Sequence, residues 1–207
     1  MSFDAWLTFT VLWFLLGLPI GPNAIATLSA SARDGLGAGL AVACGITAAG
    51  LVHAVLASLG FGTLLAAWPE TFAALRLLGA AYLAWLGIRA VLRAGSRAPT
   101  PPAPGRSIRH QVRHGALVSL SNPKAILTYM AVFPTALDPA APLAGQMAVL
   151  LPTALTVVFA IYGGHAVVGV GVGRFLLSPV RRCWFDRIAG GLFVASAGVL
   201  AASALRR

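Results

Sequence analysis

Hydrophobic residues occur along this chain in six long runs that are separated by shorter polar connections. Each run has about 20 residues or more, the length that an α-helix needs to cross the hydrocarbon core of a bilayer. The pattern therefore predicts an all-α, polytopic membrane protein with six transmembrane helices. The runs cover approximately residues 4–31, 36–66, 69–93, 111–134, 145–172 and 183–205.

Prolines interrupt the first and the fourth of these runs. Pro22 follows Gly21, and Pro123 follows Asn122. Proline has no N–H group and its ring collides with the carbonyl group four residues earlier, so a helix is kinked or broken where it occurs. We therefore expect transmembrane helices 1 and 4 to be broken. A new half-helix should begin at each proline, because proline suits the first helical position.

The two breaks lie in similar sequences. Residues 22–30 and 123–131 both read Pro-x-Ala-Ile-x-Thr-x-x-Ala, and the motif Arg-x-x-Gly follows in the same order at 76–79 and 187–190. This order predicts an internal duplication, with a first repeat over about residues 1–93 and a second over about residues 111–207. Three helices per repeat is an odd number, so the second repeat would be inverted relative to the first, as in many secondary transporters.

A linker of about residues 94–110 joins the repeats and contains Pro99-Thr-Pro-Pro-Ala-Pro104. This composition is typical of an extended polar connection, and a docking motif for a partner is the alternative. The whole chain, residues 1–207, is then a single membrane domain.

Composition and charge agree with this interpretation. Of the 207 residues, 58% are hydrophobic and 10% are charged, against about 25% charged residues in ordinary soluble domains. A net charge of +10 could suggest nucleic acid, but the arginines lie between the apolar runs rather than along one face, so no nucleic-acid partner is expected. Cys44 and Cys183 are expected to be free thiols, because two cysteines do not make a disulfide framework.

The placement of arginine predicts the orientation in the membrane. Arginines occur in the first, third and fifth connections, whereas the second and fourth contain Glu70 and Asp138 and no basic residue. The positive-inside rule places the odd-numbered connections in the cytoplasm and both chain termini outside. The arginines concerned are Arg33, then Arg93, Arg97, Arg106 and Arg109, and finally Arg174, Arg181 and Arg182.

The only lysine of the chain, Lys124, lies inside the fourth apolar run. A charge at that depth costs about 2.5–3.5 kcal/mol on insertion scales, so such a residue indicates a functional site. The two half-helices would bring free N–H groups and partial positive charge to the membrane midplane, which favours a carboxylate ligand. The candidate substrate-binding residues are Gly21, Pro22, Asn23, Asn122, Pro123, Lys124 and Tyr129.

Structural interpretations of the same residues stay open. The breaks could only relieve packing while Lys124 binds backbone carbonyl groups, and Tyr129 could be an ordinary packing residue. His53 is a candidate for proton coupling, because imidazole changes charge near neutral pH, and a hydrogen-bonded structural histidine is the alternative. For His165 we favour the structural role.

Motifs of soluble or membrane enzymes are not found. The sequence contains no HExxH, no GxSxG and no carboxylate pair in the apolar runs, so general acid/base chemistry lacks its groups. We expect no enzyme and no cofactor. A metal site is also not expected, because Cys44 and His53 are nine residues apart and face opposite sides of a helix.

Several motifs, in this order, resemble the LysE/RhtB family of amino-acid exporters. They are Gly21-Pro22-Asn23, the helix with Gly45, His53 and Gly60, the run Gly79-Ala-Ala-Tyr-Leu-Ala-Trp-Leu-Gly87, and Asn122-Pro-Lys-Ala125. The resemblance implies a multi-pass protein of the bacterial inner membrane that exports an amino acid or a similar metabolite, driven by the proton motive force. A homodimer is left open, and an exporter of another small solute, an organic acid or a metal cation, is the alternative.

Two positions depart from the family pattern. The family usually has Pro-Gly-Pro at the first break, where this chain has Ile20-Gly21-Pro22 with an additional Pro19. Many members also have an acidic residue three positions before His53, where this chain has Gly50. If that carboxylate holds a substrate amine or a proton, this protein does so with another group or has a different substrate.

Overall fold

The computed structural model describes residues 2–58, 69–94, 107–138, 140–175 and 178–205. These residues form eight α-helices and no β-strand, so the prediction of an all-α fold is confirmed. In chain order the helices are α1 (Phe3–Gly17), α2 (Pro22–Asp34), α3 (Leu36–Ser58), α4 (Pro69–Ala94), α5 (Ile108–Leu120), α6 (Pro123–Ala136), α7 (Leu143–Phe175) and α8 (Pro179–Leu205).

Two pairs of consecutive helices are separated by a break directly before a proline, and of these pairs α1–α2 is apolar enough to count as one broken span. Helix α1 ends at Gly17 and α2 begins at Pro22, with a bend of 63° between them. In the second half of the chain, α5 ends at Leu120 and α6 begins at Pro123. Both predicted breaks are confirmed, and each proline occupies the first position of the new helix, where its missing N–H group costs no hydrogen bond.

Among the described residues, three helices are long and apolar enough to cross a bilayer. They are α3, α7 and α8, and the bent pair α1–α2 counts as a fourth. Helix α4 contains a shorter apolar stretch, Leu77–Leu92. The end of the predicted second run, the glycine at position 60 and the proline-rich linker lie outside the described residues.

Helix α3 lies at the centre of the bundle and packs against α2, α5, α6 and α7. Its contact with α5 brings the two backbones together. A Cβ atom at Gly45 would overlap the carbonyl oxygen of Val112, and one at Gly115 would overlap the carbonyl oxygen of Val42. In a bilayer, where burial of apolar surface does not drive helix association, such small residues allow the close packing that holds helices together.

Helices α4 and α8 form a second closely packed pair. A Cβ atom built on Gly87 would lie 2.6 Å from the carbonyl oxygen of Gly190, and one built on Gly190 would lie 2.7 Å from that of Gly87. This pair stands beside α2 and α5, and the four helices surround a wide cavity that is described below.

Candidate functional site

A small cavity lies where the two helix breaks meet. It is lined from the first break by Asn23 and from the second by Asn122 and Lys124, with further walls from α1, α3 and α7. Its free volume of about 40 Å³ has room for a few water molecules. The cavity is therefore too narrow for an amino acid in this conformation.

Lys124 connects the two breaks. Its ammonium group Nζ donates a hydrogen bond to the carbonyl oxygen of Pro19, at 2.9 Å, and a Cβ atom at Gly21 would lie 3.8 Å from its Cδ atom. The side chain thus crosses from the start of α6 to the break between α1 and α2. Lysine has three N–H donors, so this bond leaves two for a ligand. Lys124 lines the cavity, which agrees with the ligand-binding interpretation. It also binds a backbone carbonyl group, which agrees with the structural interpretation.

The first turns of α2 and α6 are arranged around Lys124. Asn122 caps α6, because its Oδ1 atom accepts a hydrogen bond from the Lys124 backbone N–H at 3.1 Å. Gly21 precedes α2 and provides no side-chain cap. Asn23 is buried, and its Nδ2 atom donates to the Ser119 Oγ atom at 3.3 Å. The start of α2 is therefore tied to the end of α5, with the free N–H groups of a helix N-terminus nearby.

Tyr129 is both a packing residue and part of the cavity wall. Its ring lies edge-on to Trp13, with 4.6 Å between the ring centroids, and stacks on Phe133. The side chain is 4% exposed, and it also lines the cavity. The hydroxyl group is buried and has no hydrogen-bond partner among the described residues, so its capacity to form hydrogen bonds is unused in this conformation.

His53 stands behind Tyr129. The two ring centroids are 5.2 Å apart, and the buried Nδ1 atom of His53 has no hydrogen-bond partner in the described part of the chain. His53 does not line the cavity, whereas its neighbour Tyr129 does. The imidazole is therefore connected to the cavity through Tyr129. His165, by contrast, donates from Nδ1 to the carbonyl oxygen of Ile161 in its own helix, at 2.8 Å, rather than to a neighbouring helix.

The space beside Gly50 is occupied by the side chain of Tyr129. A Cβ atom at Gly50 would overlap the hydroxyl oxygen of Tyr129. The tyrosine hydroxyl thus occupies the space that a carboxylate side chain would need. In this chain a phenol from α6, rather than a carboxylate from α3, presents a polar group at that point.

Other lining residues could not be found from the sequence. Trp13 and Tyr162 line the cavity, as does Ser119, but neither aromatic residue belongs to a repeated motif. Trp13 is placed by tertiary structure, since its Nε1–H group donates to the Ala154 carbonyl oxygen in α7, at 3.2 Å. The described residues contain no group of three metal-ligating side chains, and Cys44 and Cys183 are free.

One family model and several known proteins match this chain. A family model described as LysE type translocator matches residues 14–204. The chain is 30% identical over 203 residues to a homoserine/homoserine lactone efflux protein of Salmonella typhimurium, with 98% of each chain covered. It is 35% identical over 149 residues to a leucine efflux protein of the same organism, covering 70% of this chain and 68% of the relative. An uncharacterized membrane protein of Pseudomonas aeruginosa is 35% identical over 164 residues, covering 77% of this chain and 76% of the relative. No solved structure matches.

The contact between Gly50 and Tyr129 can be tested by substitution. Gly50→Ala should lower the melting temperature of the purified protein in detergent, because overpacking a core typically costs about 1–3 kcal/mol. The matched control is Gly164→Ala, also within a helix, where a Cβ atom would meet nothing within 4 Å. The control should melt at the temperature of the unmodified protein or higher, because alanine is more favourable than glycine inside a helix.

Adding Tyr129→Phe to Gly50→Ala should recover much of the lost stability, because the hydroxyl oxygen is the atom that the new methyl group meets. Purely additive losses in the double variant would show that the two residues do not interact.

Proposed function

This chain belongs to the LysE type translocator family, and from this we propose that it exports an amino acid or an amino-acid-like metabolite by secondary active transport. The observation that carries the proposal is the position of Lys124, which lines the cavity between the two broken helices and whose ammonium group bonds the exposed Pro19 carbonyl at the other break. The relatives named for efflux of homoserine and of leucine support the same class of substrate.

The chemistry of the site suits a carboxylate. The ammonium group of Lys124 provides a full positive charge, and the uncapped start of α2 provides backbone N–H groups and the positive end of a helix dipole. In the proposed complex the substrate carboxylate replaces the Pro19 carbonyl as a partner of Lys124. The substrate side chain then lies towards Trp13, Tyr129 and Tyr162, whose rings form the apolar wall.

The architecture that we propose for transport is two inverted repeats of three spans each, with the broken helices at the repeat junction. Support comes from the two proline breaks, which occur at equivalent positions of the repeated motif, and from the pairing of the last helix of each repeat, α4 with α8. Movement of one repeat against the other would then expose the Lys124 cavity to each side of the membrane in turn.

Coupling and location complete the proposal. We place the protein in the bacterial inner membrane with both termini outside, following the arginine pattern, and couple efflux to protons. His53 is the candidate proton carrier, because it is buried within ring contact of Tyr129, which lines the cavity. In this conformation the Tyr129 hydroxyl and the His53 Nδ1 atom form no hydrogen bond, so proton transfer through the hydroxyl would require the two groups to move together.

Lys124→Met keeps the length of the side chain and removes its charge. We expect the variant to fold but to lose export of carboxylate-bearing substrates by at least about tenfold, since hydrogen bonds to charged groups contribute about 1.5–3 kcal/mol. Efflux of radiolabelled compounds from loaded proteoliposomes measures this, with a panel of amino acids, including leucine and homoserine, and of organic acids.

The conservative control is Lys124→Arg, which should be partly active because a forked guanidinium does not replace a point charge in a tight pocket. Normal transport by the methionine variant would contradict the site assignment. Export confined to organic acids would contradict the amino-acid assignment.

His53→Ala should abolish efflux driven by a proton gradient while substrate counterflow without a gradient continues, because only the coupling step loses its proton carrier. The control is His165→Ala, whose imidazole is bonded within its own helix and should not be needed for coupling. Both activities are measured in proteoliposomes across a pH series. An unchanged pH dependence in His53→Ala would make this residue a structural one.

Fusion reporters test the orientation. A reporter active only in the cytoplasm should give a signal when inserted near Pro102 and none when fused to the C-terminus. A strong signal from the C-terminal fusion would contradict six spans with both termini outside.

A further inference from the structure

A second, wider cavity lies between α2, α4, α5 and α8. Its free volume is about 450 Å³, which is in the range of sites for small molecules and much larger than the volume of the Lys124 cavity. Charged residues at its wall include Arg33, Asp34, Arg89 and Arg113. We call this space the arginine vestibule; in the proposed orientation it opens towards the cytoplasm.

The vestibule and the Lys124 cavity are close neighbours. On α2, Asn23 lines the Lys124 cavity and Ala26 lines the vestibule, and three residues of an α-helix span only about 4.5 Å. On α5, the corresponding residues are Ser119 and Leu117. The hydrogen bond from Asn23 to Ser119 joins α2 and α5 on the Lys124 side of this boundary. The two cavities therefore lie about one helical turn apart along α2 and α5.

Two of the three arginines that line the vestibule form no ion pair within the described residues. Arg33 is engaged, because it forms an ion pair with Asp186. Arg113 and Arg89 form no ion pair within the described residues; Arg89 lies over the ring of Trp85, with its guanidinium carbon 4.6 Å from the ring centroid. Guanidinium groups bind carboxylates with two parallel hydrogen bonds.

Hydrogen-bond acceptors lie on the same wall. Gln111 is 1% exposed, and its Nε2 atom donates to the Asp34 Oδ2 atom at 2.9 Å. The other end of the amide, Oε1, is buried without a hydrogen-bond partner in the described part of the chain. A buried acceptor without a partner costs free energy, and the Asp34 carboxylate can accept further bonds. Together they suit a donor of several N–H bonds that carries a positive charge, which describes an ammonium group.

We propose that the arginine vestibule is a second binding site, which receives a zwitterionic amino acid before it reaches Lys124. The carboxylate of the ligand binds Arg113 and Arg89, and its ammonium group binds Asp34 and the Gln111 Oε1 atom. The identity of the ligand as an amino acid rests on the proposed function. The presence of both positive and negative groups in the vestibule is independent of that function. A simple anion such as a phosphate would leave the Gln111 Oε1 atom without a donor and would place a second negative charge near the Asp34 carboxylate.

The relative volumes of the two cavities agree with this order of binding. The vestibule is wide while the Lys124 cavity is narrow and Lys124 is held by Pro19. This is the conformation in which a ligand can enter the vestibule but not yet the centre.

The test is protection of a cysteine placed in the vestibule wall. Ser29 lines the vestibule, and Ser29→Cys is nearly isosteric. It is introduced into the full chain with Cys44→Ser and Cys183→Ser, and the purified protein is labelled with a maleimide in lipid nanodiscs. Leucine and homoserine should each slow the labelling.

Substitutions that remove one charge then show which vestibule residue binds which group of the ligand. Arg113→Gln and Asp34→Asn should each raise the half-protecting concentration of leucine by at least about tenfold, the loss expected for one charge-assisted hydrogen bond. Arg109→Gln is the matched control, because Arg109 is exposed on the same helix and does not line the vestibule. It should leave protection unchanged, and so should Lys124→Met, which alters only the central site.

Two leucine analogues separate binding from a general structural effect. Leucinamide lacks the carboxylate and 4-methylpentanoate lacks the amine, so both should protect less well than leucine. Arg113→Gln should bring leucine to the level of leucinamide, and Asp34→Asn should bring it to the level of 4-methylpentanoate. A variant that only loosened the fold would weaken all three compounds alike.

The outcomes distinguish this inference from the proposed function. If proteoliposomes export leucine or homoserine but neither compound protects the cysteine, the vestibule site is wrong and the exporter stands. Protection that is lost in Lys124→Met and kept in Arg113→Gln would also overturn it, since the signal would then come from the central site. If no amino acid is exported but the analogue pattern holds, the exporter proposal fails and the zwitterion site stands.

Discussion

The hydrogen bond from Lys124 to the Pro19 carbonyl oxygen is the interaction on which the centre of this protein depends. Inside a bilayer every backbone polar group needs a partner, and non-helical backbone is tolerated only where protein or water surrounds it. Each proline break exposes such groups. Here the side chain that begins one half-helix satisfies a carbonyl group at the other break, so the two breaks stabilise each other and a charged residue is held between them.

The same bond makes the centre adjustable. A ligand carboxylate competes with a neutral carbonyl group for the same ammonium, and its full negative charge attracts the ammonium more strongly than the carbonyl dipole does. Binding would therefore release the Pro19 segment and loosen the contact between the breaks. The narrow central cavity and the wide arginine vestibule fit a conformation that precedes this exchange. Substrate affinity and helix movement would then be linked through one lysine.

The sequence predicts the helix breaks well because they follow from local chemistry. Proline suits the first position of a helix, as at the starts of α2 and α6, although Pro152 lies inside α7 without ending it, and the lone lysine is visible without a structure. The occupant of the space beside Gly50 could not be predicted, because Tyr129 reaches it from a helix about 80 residues further along the chain. The vestibule was missed for a similar reason. Of its arginines only Arg33 was used in the sequence analysis, for membrane orientation, and only the packing of α4 and α8 beside α2 and α5 brings Arg89, Arg113 and Asp34 to one wall.

The most direct test of the account is the distance between the Lys124 ammonium nitrogen and the carboxylate carbon of a bound substrate. Because Lys124 is the only lysine of the chain, growth on ¹⁵N-lysine labels one side-chain nitrogen. Solid-state NMR dipolar recoupling to ¹³C-carboxyl leucine or homoserine in proteoliposomes then reports on that single pair. The account predicts a separation within about 4 Å, the distance of an ion pair. Absence of coupling to a compound that the same proteoliposomes export would contradict it.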